Sequence, residues 1–224
     1  IGPNGAGKTT VFNLLTGVYR PDKGTIRLGE ELVNGLRPYQ IARAGMARTF
    51  QNVRLFGELS VLDNVRVGCH LRTRETLLST FLRTPRQLGE ERALLERSLR
   101  LLEIFGLDKR RDDQAKHLPY GDQRRLEIAR ALATDPRLLL LDEPAAGFNP
   151  NEKRALLALI GRIRDNGYTV LLIEHDMGLV MGVCDRVAVL DFGEKIADGL
   201  PTDIQTNQRV IDAYLGVPSD AAGD

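Results

Sequence analysis

Apolar positions along this chain switch between helical and strand spacing, and the switches divide it into segments. Between Lys8 and Thr16, Val11, Phe12, Leu14 and Leu15 fall on a short helix that Gly17 can end. Gly24 to Leu28 and Glu31 to Val33 alternate between glycines, which predicts a small β-hairpin. Pro38 to Gly45 reads as a further short helix. Strand formers are few from Asp63 to Leu107, and Leu94, Leu95, Leu99, Leu102 and Phe105 recur three and four residues apart. That spacing predicts a helical insertion. Its first part, His70 to Arg86, sets Arg72, Arg74, Arg83 and Arg86 against Glu75 alone, as either a solvated helix face or one held near an anionic membrane surface.

Beyond Gly121 the pattern alternates. Asp122 to Thr134 is helical, and Leu138 to Asp142 is an apolar run of buried-strand length. Asn149 caps a helix that begins at Pro150 and is followed by Gly167. Tyr168 to Glu174 and Arg186 to Phe192 read as strands. Such alternation predicts an α/β fold with a mostly parallel sheet, a small antiparallel part and a helical insertion. The expected organisation is a core over 1–62, a helical subdomain over 63–130, the core continued over 131–216 and a flexible tail over 217–224.

Composition narrows the class. Of 224 residues 42% are apolar and 27% charged, which suits a globular chain. No apolar run approaches the roughly 18 residues needed to cross a bilayer. Thirty-one basic against 30 acidic residues leave a net charge of +1, so nucleic acid is not an expected partner. Cys69 and Cys184 lack ligand spacing, which favours a reduced, cytoplasmic setting over a zinc or disulfide framework. The chain opens at Ile1 inside a glycine-rich turn with no signal-peptide pattern, and the N-terminal strands leading into that turn are expected to be missing.

Gly2 to Thr9, GPNGAGKT, fits the P-loop pattern. Such a loop works because backbone N–H groups and a helix N-terminus make a concave positive site for phosphate. Glycines at 2, 5 and 7 let the backbone approach the oxygens, Lys8 would reach the β- and γ-phosphates, and the Thr9 hydroxyl would ligate Mg²⁺. Gly2, Pro3, Asn4, Gly5, Ala6, Gly7, Lys8, Thr9 and Thr10 are therefore the candidate nucleotide-binding residues. The run Leu138 to Leu141 delivers Asp142 and Glu143 at a strand's C-terminal end, where ligands bind in parallel sheets. Asp142 suits Mg²⁺, and Glu143 could polarise an attacking water. His175 follows the next strand at its C-terminal end, as a γ-phosphate contact or as an ordinary satisfied polar group. Gln51 alone is an anonymous loop amide.

With these motifs in place the whole chain resembles the nucleotide-binding subunits of ABC transporters, which implies a P-loop NTPase fold of the ABC ATPase type. Walker A matches Gly2 to Thr9, and Walker B matches Leu138 to Asp142 with Glu143 as catalytic glutamate. Gln51 matches the Q-loop glutamine and His175 the switch histidine. Ala146-Gly147-Phe148-Asn149 stands in place of the D-loop, with Asn149 where aspartate is common. The signature Leu-Ser-Gly-Gly-Gln corresponds to Leu118-Pro119-Tyr120-Gly121-Asp122-Gln123, with Pro119 replacing the serine and Tyr120 the first glycine. The resemblance implies ATP and Mg²⁺, with catalytic roles for Glu143, His175 and Gln51. It implies metal contacts from Thr9, Gln51 and Asp142, and a signature segment that meets the ATP of a partner.

The stretches Ala47 to Phe56, Cys184 to Val187 and Asp191 to Ala197, with the altered signature, look like the ATP-binding subunits of branched-chain amino acid importers. Such a subunit would pair with a second ABC ATPase and two membrane permeases, served by a periplasmic or surface binding protein. It would lie peripherally on the cytoplasmic face of the inner membrane. An importer ATPase for urea or short amides, or a non-transport ABC ATPase, are the alternatives.

Overall fold

Leu138–Asp142 is the strand its unbroken apolar run predicts, and Leu139, Leu140 and Leu141 are fully buried. Each contributes about 1.5–3 kcal/mol by leaving water, which fixes where the strand's terminal carboxylates emerge. A computed structural model describes residues 1–69 and 85–215. The side chains of the arginine cluster at 72–86 and the tail at 217–224 lie outside the described residues.

In chain order the first elements are α1 (Lys8–Leu15), β1 (Arg27–Leu28), β2 (Glu31–Leu32), α2 (Pro38–Ala44) and β3 (Met46–Arg48). Then come α3 (Val61–Cys69), α4 (Pro85–Phe105), α5 (Tyr120–Ala133), β4 (Leu138–Asp142), α6 (Pro150–Asp165) and β5 (Thr169–Ile173). The last are α7 (Met177–Val183), β6 (Val187–Asp191), β7 (Glu194–Gly199), α8 (Pro201–Gln205) and α9 (Gln208–Leu215). The predicted hairpin forms, but its ladder is only two residues long on each side. Helix α5 starts two residues before the expected Asp122, with Pro119 as its N-cap. β3 was not legible because three residues leave no periodicity, and β7 because its sequence is half polar. The turn that joins β7 to β6 is Phe192-Gly193, both at positive φ (43° and 84°), the conformation that matches hairpin twist.

The chain divides into two units. One comprises Ile1–Gly35, Ala145–Gly167 and the described part of Leu172–Asp224. In it β6 and β7 pair antiparallel, and Val180, Val187, Val189, Ile204 and Val210 form a buried cluster with Ile1, Cys184 and Ile196 against it. The Ile1 nitrogen donates to the Ala188 carbonyl, and the Leu190 N–H donates to the Ile1 carbonyl, both at 2.9 Å. The backbone thus enters the glycine-rich loop parallel to β6.

The other unit comprises Leu36–Pro144 and Tyr168–Leu171. Its sheet runs β3-β4-β5, with Met46, Ala47 and Arg48 parallel to Leu138, Leu139 and Leu140. Helices α3, α4 and α5 pack on one another, and Val61, Val65, Leu102, Phe105, Leu126 and Ile128 on them are buried. The α3–α5 approach needs a glycine. A Cβ on Gly68 would lie 2.4 Å from the Arg130 carbonyl oxygen and 2.9 Å from the Ala133 Cβ. Gly68→Ala should therefore force the helices apart and cost about 1–3 kcal/mol, read as a lowered melting temperature. An unchanged melting temperature would show that the contact yields freely.

Candidate functional site

In the first unit the Gly2–Thr9 loop is built by backbone conformation. Gly2, Gly5 and Gly7 have φ of 150°, 82° and 95°, which side-chain-bearing residues rarely adopt. A Cβ at Gly2 would sit 2.1 Å from the Leu190 carbonyl oxygen, so β6 leaves room for nothing larger. Gly7 is the N-cap of α1 and supplies no side-chain cap, so first-turn N–H groups are left for an outside acceptor. The Lys8 ammonium closes the loop on itself, donating to the carbonyls of Gly2 at 2.7 Å and Pro3 at 2.8 Å. Gly193 N–H donates to the Ala6 carbonyl at 3.0 Å, and Gly2 N–H to the Tyr214 hydroxyl at 3.0 Å. Thr9 and Thr10 are exposed on the first turn, as are Asn4 and Gly5 on the loop.

His175 belongs to this unit as well, exposed two residues after β5, and its N–H donates to Glu174 Oε2 at 3.3 Å. Buried Glu174 also accepts the Ala145 N–H at 3.0 Å, which fixes the histidine's backbone beside the D-loop. Asp176 caps α7 by accepting the Leu179 N–H, and pairs with Lys153 at 2.6 Å. Asn149 and Glu152 form a reciprocal capping box at the start of α6.

The second unit holds the carboxylates. Asp142 ends β4 almost fully buried, and its Oδ2 accepts from Arg48 Nη2 at 2.7 Å. Arg48 also lies over the Phe50 ring, 5.3 Å from the centroid. Glu143 follows at φ 45°, strained for a non-glycine residue. Gln51 Nε2 donates to Glu143 Oε2 at 3.2 Å, leaving the amide oxygen as the end that can meet a cation. Helix α5 opens at the signature, where Pro119 provides no side-chain cap and Tyr120 is exposed. Gln123 Nε2 closes back on the Leu118 carbonyl at 2.9 Å, and Asp122 pairs with Arg125 at 2.7 Å.

Sequence reasoning missed Arg48, Arg124 and Glu127. Arg124 is 0% exposed and Glu127 2%, and they pair at 2.9 Å. Arg124 donates to the carbonyls of Phe50, of Gln51 at 2.9 Å and of Glu143 at 3.1 Å. The signal was an Arg-x-x-Glu spacing set among Leu126, Ile128 and Ala129, where opposite charges three apart share a helix face.

The Thr9 hydroxyl of the first unit, and the Gln51 amide oxygen and Asp142 carboxylate of the second, are each hard oxygen donors of the kind Mg²⁺ takes.

A glycine-rich loop opening a helix, and an apolar strand ending in one acid and followed by a second that a loop glutamine bonds, are the parts of a P-loop ATPase. The sequence profile of the ABC transporter family matches residues 1–146, and that of the branched-chain amino acid ATP-binding cassette transporter matches 194–220. The chain is 52% identical over 217 residues to the high-affinity branched-chain amino acid transport ATP-binding protein LivG of Salmonella typhimurium. That alignment covers 96% of this chain and 85% of the relative. BraF of Pseudomonas aeruginosa, described in the same words, is 50% identical with the same coverage. The ADP conformation of MJ1267, an ATP-binding cassette of an ABC transporter, superposes with a TM-score of 0.80 at 28% identity. It covers 96% of this chain and 86% of its own. The chain belongs to the ABC transporter family, and the expected α/β ATPase fold is the one observed. ATP-binding cassettes of these transporters work as dimers with membrane permease partners. Among the described residues no helix is long and apolar enough to cross a membrane.

The Asp176 cap yields a prediction with a pH sign. Its hydrogen bond from Lys153, then that from the Leu179 N–H, holds the carboxyl below the ordinary 3.8. A depressed folded value adds stability that is present above pH 3.8 and lost as pH falls through that lowered value. Asp176→Ala should cost about 0.5–2 kcal/mol at neutral pH. The melting-temperature gap from wild type should narrow in acid, and a gap independent of pH would rule out the charged cap.

Proposed function

We propose that this chain is the ATP-hydrolysing, energy-coupling subunit of an importer for branched-chain amino acids. The observation that carries the nucleotide assignment is the Gly2–Thr9 loop, with three positive-φ glycines, an uncapped helix and Lys8 bound to the loop's own carbonyls. Phosphate oxygens would take Lys8 from those carbonyls at little cost, because one set of charge-assisted bonds replaces another. Gly2 to Thr10 bind the nucleotide, and Thr9, Gln51 and Asp142 would hold Mg²⁺, which when bound would supply charge neutralisation for the phosphates.

Glu143 accepts a proton from the attacking water, and the γ-phosphoryl group leaves as phosphate with ADP as the other product. Gln51 orients the glutamate, and His175 contacts the γ-phosphate. Pro119 removes the signature hydroxyl, so α5 recognises a partner's nucleotide through the Gly121 N–H and the helix dipole. Residues 1–62 and 131–216 act as the ATPase core, and 63–130 as the helical subdomain. The working partners are a second ABC ATPase, two permeases and a periplasmic or surface binding protein at the cytoplasmic face of the membrane. The cargo reading rests on the relatives' names, since nothing in the described residues meets an amino acid.

In the assembled transporter, Glu143→Gln should slow ATP hydrolysis by about 10²–10⁴ while ATP remains bound. Turnover within about twofold of wild type would remove Glu143 from its role. Lys8→Ala should weaken affinity for a fluorescent ATP analogue, and unchanged affinity would contradict the phosphate contact. Proteoliposomes holding the full system should take up leucine only with ATP. Uptake of urea or short amides in its place would reassign the cargo.

A further inference from the structure

We propose that Arg124 and Glu127 are positioning residues that fasten the signature helix to the hydrolytic loops, so that α5 cannot shift without moving Gln51 and Glu143. The inference rests on the reading of those two residues as hydrolytic groups. Both partners of the pair are buried, yet the guanidinium spends its hydrogen bonds chiefly on main chain. Its acceptors belong to two segments far away in sequence, Gln51 at 73 residues and Glu143 at 19. Nη2 bridges these two carbonyls, while Nη1 bridges the Phe50 carbonyl and Glu127 Oε2. Glu127 then turns its other oxygen to the N–H groups of Phe50 and Arg54, each at 3.4 Å. The pair therefore grips the glutamine loop at both ends of Phe50–Arg54.

A charge pair kept only to fill space would not need this geometry. Glu143 sits at φ 45°, a conformation that persists only where its surroundings over-determine it. The Arg124 bond lands on the carbonyl of that same residue. Arg124 lies four residues into the helix, about 6 Å along its axis from Tyr120, so the signature end and the clamp move as one rigid rod. A planar fork holds its donors rigidly apart, so that three carbonyls and a carboxylate are met in one fixed geometry, where a lysine ammonium offers three donors from a single point on a flexible stem.

The assembled transporter provides the test. Replacing both charges with apolar residues, Arg124→Leu with Glu127→Leu, leaves no unpaired buried charge and should keep the melting temperature above that of Arg124→Leu alone. Nucleotide affinity should stay at the wild-type value, because the loop around Lys8 is untouched. The kcat should fall about 10²-fold, the scale of a misplaced catalytic group. Glu127→Gln, which keeps one acceptor oxygen but sets an amide N–H against donors, should recover only part of that loss. If the double variant does not fold, Arg124→Lys carries the test, with charge retained and the fork lost. Wild-type kcat in a folded clamp variant, with Glu143→Gln inactive, would overturn the proposal. Wild-type kcat in Glu143→Gln as well would overturn the reading of the hydrolytic site beneath it.

Discussion

A guanidinium taken out of water has to be given acceptors, and the second unit is arranged around that requirement at Arg124. Removing an ion from water costs several kcal/mol even after relaxation, so every bond it makes inside must be in place when the protein is folded. The acceptors supplied are the Glu127 carboxylate and three main-chain carbonyls, at Phe50, Gln51 and Glu143. Those carbonyls sit on the two segments that carry Gln51 and Glu143, the side chains proposed for hydrolysis. The electrostatic demand of one buried residue thereby sets the position of a loop and of a strained turn.

The first unit meets a related demand with main-chain acceptors alone. Its glycine-rich loop takes a shape that glycine alone adopts without strain, and the Lys8 ammonium donates to the loop's own carbonyls. Asp142 is held in a comparable way by Arg48 at 2.7 Å in a nearly dry setting. In both places an internal partner takes the hydrogen bond of a group for which a ligand is proposed, so that ligand binding would be an exchange of partners.

The sequence made parts of this plain and hid others for definite reasons. Gly2 to Thr9 and Leu138 to Glu143 were legible because their chemistry is local: backbone conformation in one, a buried apolar run ending in acids in the other. The helix over Glu90 to Phe105 was legible from apolar spacing, and the cap at Asn149 from one residue type before Pro150. Gln51 became readable only by family resemblance, since a loop amide has no periodicity. Arg124 and Glu127 escaped because charged residues on an amphipathic helix are ordinarily assigned to the solvent face. The Arg-x-x-Glu spacing shows only that the two can pair; their burial is created by partners up to 73 residues upstream, which that spacing does not carry. Arg48 was hidden likewise, on a three-residue strand whose mate lies 94 residues away.

The central claim is that buried charge on the signature helix fixes the glutamine loop. Amide hydrogen exchange at Phe50 and Arg54 tests it most directly, since both N–H groups face Glu127. Exchange should be compared in the folded wild type and the folded variant carrying both Arg124→Leu and Glu127→Leu. Faster exchange at those two amides in the variant, with the amides of β4 unchanged, is the predicted result. Equal rates at Phe50 and Arg54 in the two proteins would contradict it.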